Sequence, residues 1–117
     1  MKRHTLTITD VEQFDRDGYV LVPDLFSAAE VTIMLREVEG GNRVASASHE
    51  TTDQSGRKAR LALWHELGHD VWAAATTCSR VVNNVRILLR EEIAFFHGKV
   101  MLKEARSGGA WEWHQDY

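Results

Sequence analysis

A histidine and an aspartate stand two positions apart in the run WEWHQDY, residues 111–117. On a β-strand, residues i and i+2 project to the same face, so His114 and Asp116 would present an imidazole beside a carboxylate. On a helix the same two side chains would diverge. An imidazole and a carboxylate are two-thirds of the two-histidine, one-carboxylate triad that holds non-haem Fe(II). The spacing predicts part of an iron site if this run is extended.

The neighbouring residues favour an extended run. Aromatic residues alternate with polar ones from residue 111 to residue 117, and Ser107, Gly108 and Gly109 are typical of a turn before them. Residues 99–105 form a second predicted extended segment on the other side of that turn. One face of the last segment would be aromatic and the other would carry His114 and Asp116. Glu112 would lie on that second face, either in contact with substrate or at its rim.

A second histidine cluster, residues 65–69, matches the His-Glu-x-x-His pattern of zinc metallopeptidases. On a helix, His65 and His69 would lie one turn apart and share a zinc ion, with Glu66 as general base on the bound water. Gly68 weakens that helix, because glycine in a helix interior costs about 1 kcal/mol relative to alanine. The candidates for the third zinc ligand are Glu91 and Glu92. A zinc metallopeptidase is therefore an alternative function.

Length and composition limit the remaining possibilities. The chain has 117 residues, of which 44% are hydrophobic and 26% charged, as expected of one ordinary globular domain or part of one. The net charge of −3 gives no electrostatic reason to expect nucleic acid or an anionic membrane as partner. The single cysteine, Cys78, excludes an intrachain disulfide and favours a reducing compartment, so we expect a cytoplasmic protein. The oligomeric state is left open.

Two capping boxes predict the first two helices. Thr9 with Glu12 would begin a short helix that ends at Gly18, and residues 19–22 would follow as a β-strand. Ser27 with Glu30 would begin a second helix, which stops at residues 40–41. That helix carries apolar residues at helical spacing, which we expect in the core. These residues are Val31, Met34, Leu35 and Val38.

The middle of the chain is predicted as a loop followed by alternating elements. Residues 42–58 are polar and predict a mobile loop, and residues 59–64 predict a short extended run. Asp70 would cap a helix that runs to Cys78, and Ser79 would cap a longer one. Residues 93–96 read as extended.

Two stretches of the sequence resemble the phytanoyl-CoA dioxygenase family of Fe(II)- and 2-oxoglutarate-dependent oxygenases. Residues 99–117 read KVMLKEARSGGAWEWHQDY, and residues 14–27 read FDRDGYVLVPDLFS. The resemblance implies an α+β fold in which N-terminal helices pack on the first strands of a double-stranded β-helix, or jelly roll, truncated before the barrel is complete. Residues 1–117 would be the N-terminal part of a single domain of this family.

The resemblance also implies a chemistry. Fe(II) would be held by His114 and Asp116, with 2-oxoglutarate as co-substrate, O₂ as oxidant and a small organic molecule as the substrate that is hydroxylated. The candidates for the 2-oxoglutarate pocket are Lys99, Met101, Lys103, Gln115 and Arg60. In the family the second histidine ligand and the arginine for 2-oxoglutarate come later, and no residue here takes either role, so this chain alone is expected to be inactive. A non-catalytic module that binds a partner is the third possibility.

Overall fold

The computed structural model describes residues 5–115 as two compact units. Residues up to Leu35 together with Leu67–Phe96 form the helical unit, and Arg36–Glu66 together with the residues from His97 onward form the sheet unit. The elements in chain order are α1 (Ile8–Asp17), α2 (Ala28–Gly40), α3 (Asn42–Ala47), β1 (Ser48–Thr52), β2 (Lys58–Trp64), α4 (Val71–Thr77), α5 (Ser79–Leu89) and β3 (Gly98–Leu102). The α+β class is confirmed. Across residues 5–115, none of the helices is long and apolar enough to cross a membrane.

The N-cap of helix α1 lies two residues before the predicted one. Thr7 is extended (φ −91°, ψ 169°), its Oγ1 accepts from the Asp10 N–H at 3.4 Å, and the Asp10 Oδ2 accepts from the Thr7 N–H at 2.7 Å. This is a complete capping box with Asp10 as the returning acid, so Thr9 lies inside the helix and its predicted capping role is wrong. Gly18 ends the helix as predicted, in the left-handed conformation (φ 79°), and its N–H donates to the Phe14 carbonyl at 2.8 Å.

The predicted strand at residues 19–22 is wrong, since no strand is formed there in the described chain. Tyr19 is 58% exposed and Leu21 is 76% exposed. β-Propensity measures how well a side chain packs on a paired, half-buried sheet surface. The three-stranded sheet of the described residues is formed by other segments, so these apolar side chains have no such surface to pack on.

Helix α2 has the predicted cap but not the predicted core face. The Ser27 Oγ accepts from the Glu30 N–H at 3.3 Å, and the Glu30 Oε2 accepts from the Ser27 N–H at 2.7 Å, which confirms the second capping box. However, all residues of α2 are partly or fully exposed, including Val31 at 41% and Leu35 at 54%. Helical spacing determines which residues share a face, but burial requires another element to cover that face.

Helices α4 and α5 pack on each other within the helical unit. Asp70 caps α4 as predicted, because its Oδ1 accepts from the Trp72 N–H at 3.1 Å and the Ala73 N–H at 3.0 Å. Helix α5 begins at Ser79, so its N-cap is Cys78, one residue before the prediction. The buried residue of α5 is polar: the Asn84 Oδ1 accepts from the N–H of the buried Leu6 at 3.0 Å.

The sheet unit contains an antiparallel sheet in the order β1-β2-β3. The mobile loop predicted at residues 42–58 is wrong, because α3 and β1 occupy most of it and only a tight turn, residues 53–57, remains. Strand β2 confirms the extended run at 59–64, and β3 confirms the first part of 99–105, whereas 93–96 is not a strand. Helix α3 packs on β2, and the fully buried side chains of Val44 and Ala62 lie in the core of this unit.

Candidate metal centre

The chain that leaves β3 turns back toward the β1–β2 turn before it reaches His114. The Gly108 N–H donates to the Glu104 carbonyl at 2.9 Å, which confirms the predicted turn. The N–H of the buried Gly109 then donates to the Lys58 carbonyl at 2.9 Å. A Cβ at residue 109 would lie 2.6 Å from the Arg57 carbonyl oxygen, so only glycine allows the two backbones to approach this closely.

Asp53 connects this returning segment to the β1–β2 turn. Its Oδ1 accepts from the Ser55 N–H at 2.9 Å, the Ser55 hydroxyl at 2.7 Å and the Arg57 N–H at 2.9 Å. Its Oδ2 accepts from the Ala110 N–H at 2.7 Å. These bonds, with the one from Ala110 the largest contribution, lower the pKa of Asp53 to about 2. The carboxylate is therefore ionised at neutral pH.

His114 is exposed at the far end of this segment. Its Nδ1 lies 2.7 Å from the Glu112 carbonyl oxygen, and its ring meets the edge of the Trp111 ring at a centroid distance of 6.1 Å. A carbonyl oxygen only accepts, so Nδ1 is the donor, and in a neutral imidazole the lone pair that binds a metal ion is then on Nε2. Metal-binding histidines commonly donate their second ring N–H in this way. The chemistry of His114 fits an iron ligand.

The described part of the last segment, residues 111–115, forms neither a helix nor a strand. A helix here would have placed His114 and Asp116 on different faces, and no helix is formed over residues 111–115. Asp116 lies outside the described residues, so its pairing with His114 stays a prediction. Within residues 5–115, no three histidine, cysteine, aspartate or glutamate side chains come together as a metal site.

His114 lines an open cleft of about 310 Å³ beside the β1–β2 turn. One wall is the end of β1 with the turn, and the other is the segment from Ala110 onward. The lining residues are Thr51, Thr52, Asp53, Gln54, Ala110, Trp111, Glu112 and His114. Glu112, which we predicted on the same face as His114, is among them.

The predicted 2-oxoglutarate residues lie elsewhere in the sheet unit or at its end. Lys99 and Met101 lie on one face of β3, opposite Leu63 and Leu61 in register, and both are exposed. Arg60 is paired with Leu102, which places it on the opposite face of the sheet. Lys103 lies just beyond the end of β3, and Gln115 follows His114; both are exposed. Their cofactor roles stay predictions, and the register separates Arg60 from the other two sheet residues.

The zinc metallopeptidase interpretation is wrong, because its helix is not formed. Strand β2 ends at Trp64, residues 65–70 are irregular, and Gly68 has a positive φ of 70°. A helix is what would place His65 and His69 one turn apart. Instead the His65 ring meets the His97 ring edge-on at 6.1 Å, and the Glu66 carbonyl accepts from Arg43 at 2.9 Å.

Sequence reasoning missed Asp53 and its contact with Ala110. Part of the signal was present: an aspartate three residues before a glycine, Gly56, is typical of a tight turn in which the aspartate side chain accepts backbone N–H groups. The other part, a bond to a residue much later in the chain, has no local signal.

The chain is similar to several curated oxygenases. It is 26% identical over 110 residues to the ectoine dioxygenase of Stutzerimonas stutzeri, covering 92% of this chain and 36% of that protein. It is 28% identical over 109 residues to the ectoine dioxygenase of Sphingopyxis alaskensis, covering 89% and 35%. With the L-proline trans-4-hydroxylase of Streptomyces griseoviridis it shares 29% identity over 107 residues, covering 90% and 39%.

The chain thus spans a little over a third of the length of the curated relatives it matches. No solved structure matches it. The family model of phytanoyl-CoA dioxygenase matches residues 14–117, which include both stretches that carried the resemblance and nearly all of the described residues. The chain belongs to the phytanoyl-CoA dioxygenase family.

Proposed function

We propose that this chain is the N-terminal portion of a non-haem Fe(II)- and 2-oxoglutarate-dependent dioxygenase that hydroxylates a small organic molecule. His114 and Asp116 are its iron ligands. The observation that carries the proposal is the geometry of His114, whose Nδ1 lies 2.7 Å from the Glu112 carbonyl oxygen, so that Nε2 is the ring nitrogen that would bind the metal. The family match over residues 14–117 supports it.

Iron with 2-oxoglutarate supplies the activation of O₂ that hydroxylation of an unactivated C–H bond requires. The chain's own residues have simpler tasks. The Glu112 carbonyl fixes the tautomer and the orientation of the His114 ring. The Trp111 ring packs edge-on to the imidazole at a centroid distance of 6.1 Å. The open cleft beside His114 gives a small molecule access to the ligand.

The remaining parts of the site come from another portion of the domain. The relatives contain that portion, and it lies outside the part of them that this chain matches. In this proposal that portion supplies the second histidine ligand and the arginine for 2-oxoglutarate, and it completes the double-stranded β-helix. The present chain alone therefore binds Fe(II) weakly and does not turn over 2-oxoglutarate. The relatives named for ectoine and L-proline support a small organic substrate.

The test is iron content and 2-oxoglutarate turnover of the full-length protein, with succinate as the measured product. We expect His114→Ala and Asp116→Ala each to abolish bound iron and succinate formation. The matched control is His65→Ala, which changes an exposed histidine outside the site and should leave both quantities unchanged. Zinc binding that survives His114→Ala but not His65→Ala would overturn the proposal, as would succinate formation that survives His114→Ala.

A further inference from the structure

We propose that Asp53 is a positioning residue for His114: its carboxylate holds the segment that leads to this ligand against the β1–β2 turn. The inference rests on the proposed function, because it takes His114 to be an iron ligand. Asp53 itself is on the turn, and it acts on His114 through the backbone of residues 110–114.

The first half of the connection makes Asp53 a rigid anchor. Its backbone N–H donates to the Arg57 carbonyl at 2.9 Å, and its own carbonyl accepts from the Gly56 N–H at 3.0 Å. Its Oδ1 accepts three further bonds from Ser55 and Arg57. Both the backbone and the side chain of Asp53 are therefore held by hydrogen bonds within the turn. The turn itself connects the paired strands β1 and β2.

The second half ties two consecutive backbone amides to that anchor. The Gly109 N–H donates to the Lys58 carbonyl at 2.9 Å, and the Ala110 N–H donates to Asp53 Oδ2 at 2.7 Å. Two adjacent bonds fix the direction of the chain, whereas one would allow it to pivot. From Ala110 only three residues remain before His114, and two of them, Trp111 and Glu112, line the same cleft as His114.

A carboxylate is the group that makes all four side-chain bonds. Its two oxygens only accept, and each of the four partners donates. An amide at this position has one oxygen for the three donors of the turn and an NH₂ that faces the Ala110 N–H, donor against donor. Asp53→Asn therefore keeps the turn and breaks the connection to the segment. The low pKa of the Asp53 carboxyl supports the same view of its bonds.

The experiment compares three variants of the chain, Asp53→Asn, Ser55→Ala and His114→Ala, by two measurements. The first is amide hydrogen exchange by NMR at residue 110. The second is the affinity for Co(II), a stand-in for Fe(II) that N/O sites bind somewhat more tightly, read from paramagnetic broadening of the His114 ring signals or, in His114→Ala, of neighbouring signals. Ser55→Ala is the matched control, because it removes a bond to Oδ1 and leaves the one from Ala110.

We expect slow exchange at residue 110 in the wild type, which tests the connection without any variant. In Asp53→Asn that exchange should be about tenfold faster, and the Co(II) affinity should fall about tenfold while the β1–β2 signals stay in place. Ser55→Ala should change neither by more than about twofold. Fast exchange in the wild type, or equal Co(II) affinity in Asp53→Asn and wild type, overturns the inference. Unchanged Co(II) affinity in His114→Ala overturns the proposed metal site, and with it this role of Asp53, even where exchange at residue 110 is slow.

Discussion

Arg80 and Glu30, 50 residues apart in the sequence, form a two-point ion pair in the helical unit. One guanidinium nitrogen of Arg80 donates to Glu30 Oε2 at 3.1 Å, and the other donates to Oε1. Glu30 also accepts from the Ser27 N–H. The bond from Arg80, followed by those from Ser27, lowers the pKa of Glu30 to about 2. One carboxylate thus caps α2 and joins it to α5.

This carboxylate should make the stability of the chain depend on pH in the acid range. A carboxyl whose pKa falls from its ordinary value of 4.5 to about 2 on folding stabilises the folded state above pH 4.5. That contribution is lost as the pH falls from 4.5 toward 2. We expect Glu30→Gln to lower the urea midpoint at pH 7 and to have a progressively smaller effect below pH 4.5. Urea denaturation at several pH values measures the difference.

Arg80→Met is a second variant that tests the same prediction. It removes the larger cause of the low pKa while the bonds from Ser27 to Glu30 are kept, so the difference from wild type should again shrink below pH 4.5. A difference between Glu30→Gln and wild type that stays constant from pH 7 to pH 2 would contradict the assignment.

The first helix offers two threonines that separate a cap from a helix interior. Thr7→Ala removes both the acceptor for the Asp10 N–H and the hydroxyl that donates to the Asp10 carboxylate, so we expect it to lower the free energy of unfolding by about 1 kcal/mol. Thr9→Ala, one half-turn later and exposed, should change it by less than about 0.5 kcal/mol. Urea midpoints of the two variants test this directly. A larger loss of stability in Thr9→Ala than in Thr7→Ala would show that Thr9 is the cap.

What the sequence could predict was governed by how far each interaction reaches. Some features were predictable because the bonded groups lie within four residues of each other along the chain. They are the caps at Ser27 and Asp70 and the helix end at Gly18. The cap of α1 was missed because Thr7 with Asp10 and Thr9 with Glu12 are overlapping versions of one pattern. Local signals of this kind show that a helix begins, but they are less precise about the residue at which it begins.

Interactions between distant segments were not predictable in the same way. Residues 42–58 look like a loop because β1 is an edge strand with mostly exposed polar side chains, and polar composition cannot separate such a strand from a loop. His114 was predicted as a metal ligand from its type and spacing alone, and that role stays a prediction. The bond from the Ala110 N–H to the Asp53 carboxylate was not predictable, because it depends on the sheet that brings these two residues together.

Gly98, the first residue of β3, is expected to tolerate no side chain. A Cβ there would lie 2.3 Å from the Trp64 Nε1, because Gly98 and Trp64 are paired in register. Gly98→Ala should lower the free energy of unfolding by roughly 1 to 3 kcal/mol through overpacking. Gly40→Ala is the matched control, since a Cβ at that position meets no atom within 4 Å, and it should be neutral or slightly stabilising. Equal urea midpoints for the two variants would contradict the clash.

Two neighbouring asparagines on α5 should differ sharply in their effect on stability. Asn84→Ala leaves the buried N–H of Leu6 without its acceptor, which should lower the free energy of unfolding by about 1 to 3 kcal/mol. Asn83→Ala, on the exposed side of the same helix, should change it by less than about 0.5 kcal/mol. Thermal unfolding of both variants is the measurement, and an unchanged melting temperature for Asn84→Ala would mean that the bond to Leu6 is not made.

The bond between Asp53 and Ala110 also has a place in the order of folding. The two residues are 57 positions apart, and closing so long a loop in an unstructured chain is entropically unfavourable. Once β2 and β3 have paired, Leu102 lies beside Arg60, and only the short stretches 54–59 and 103–109 separate this pair from Asp53 and Ala110. We therefore expect the sheet to form first and the His114 segment to dock on it afterwards. In the reverse direction we expect that segment to open first, so His114 would leave its docked position while the sheet stays folded.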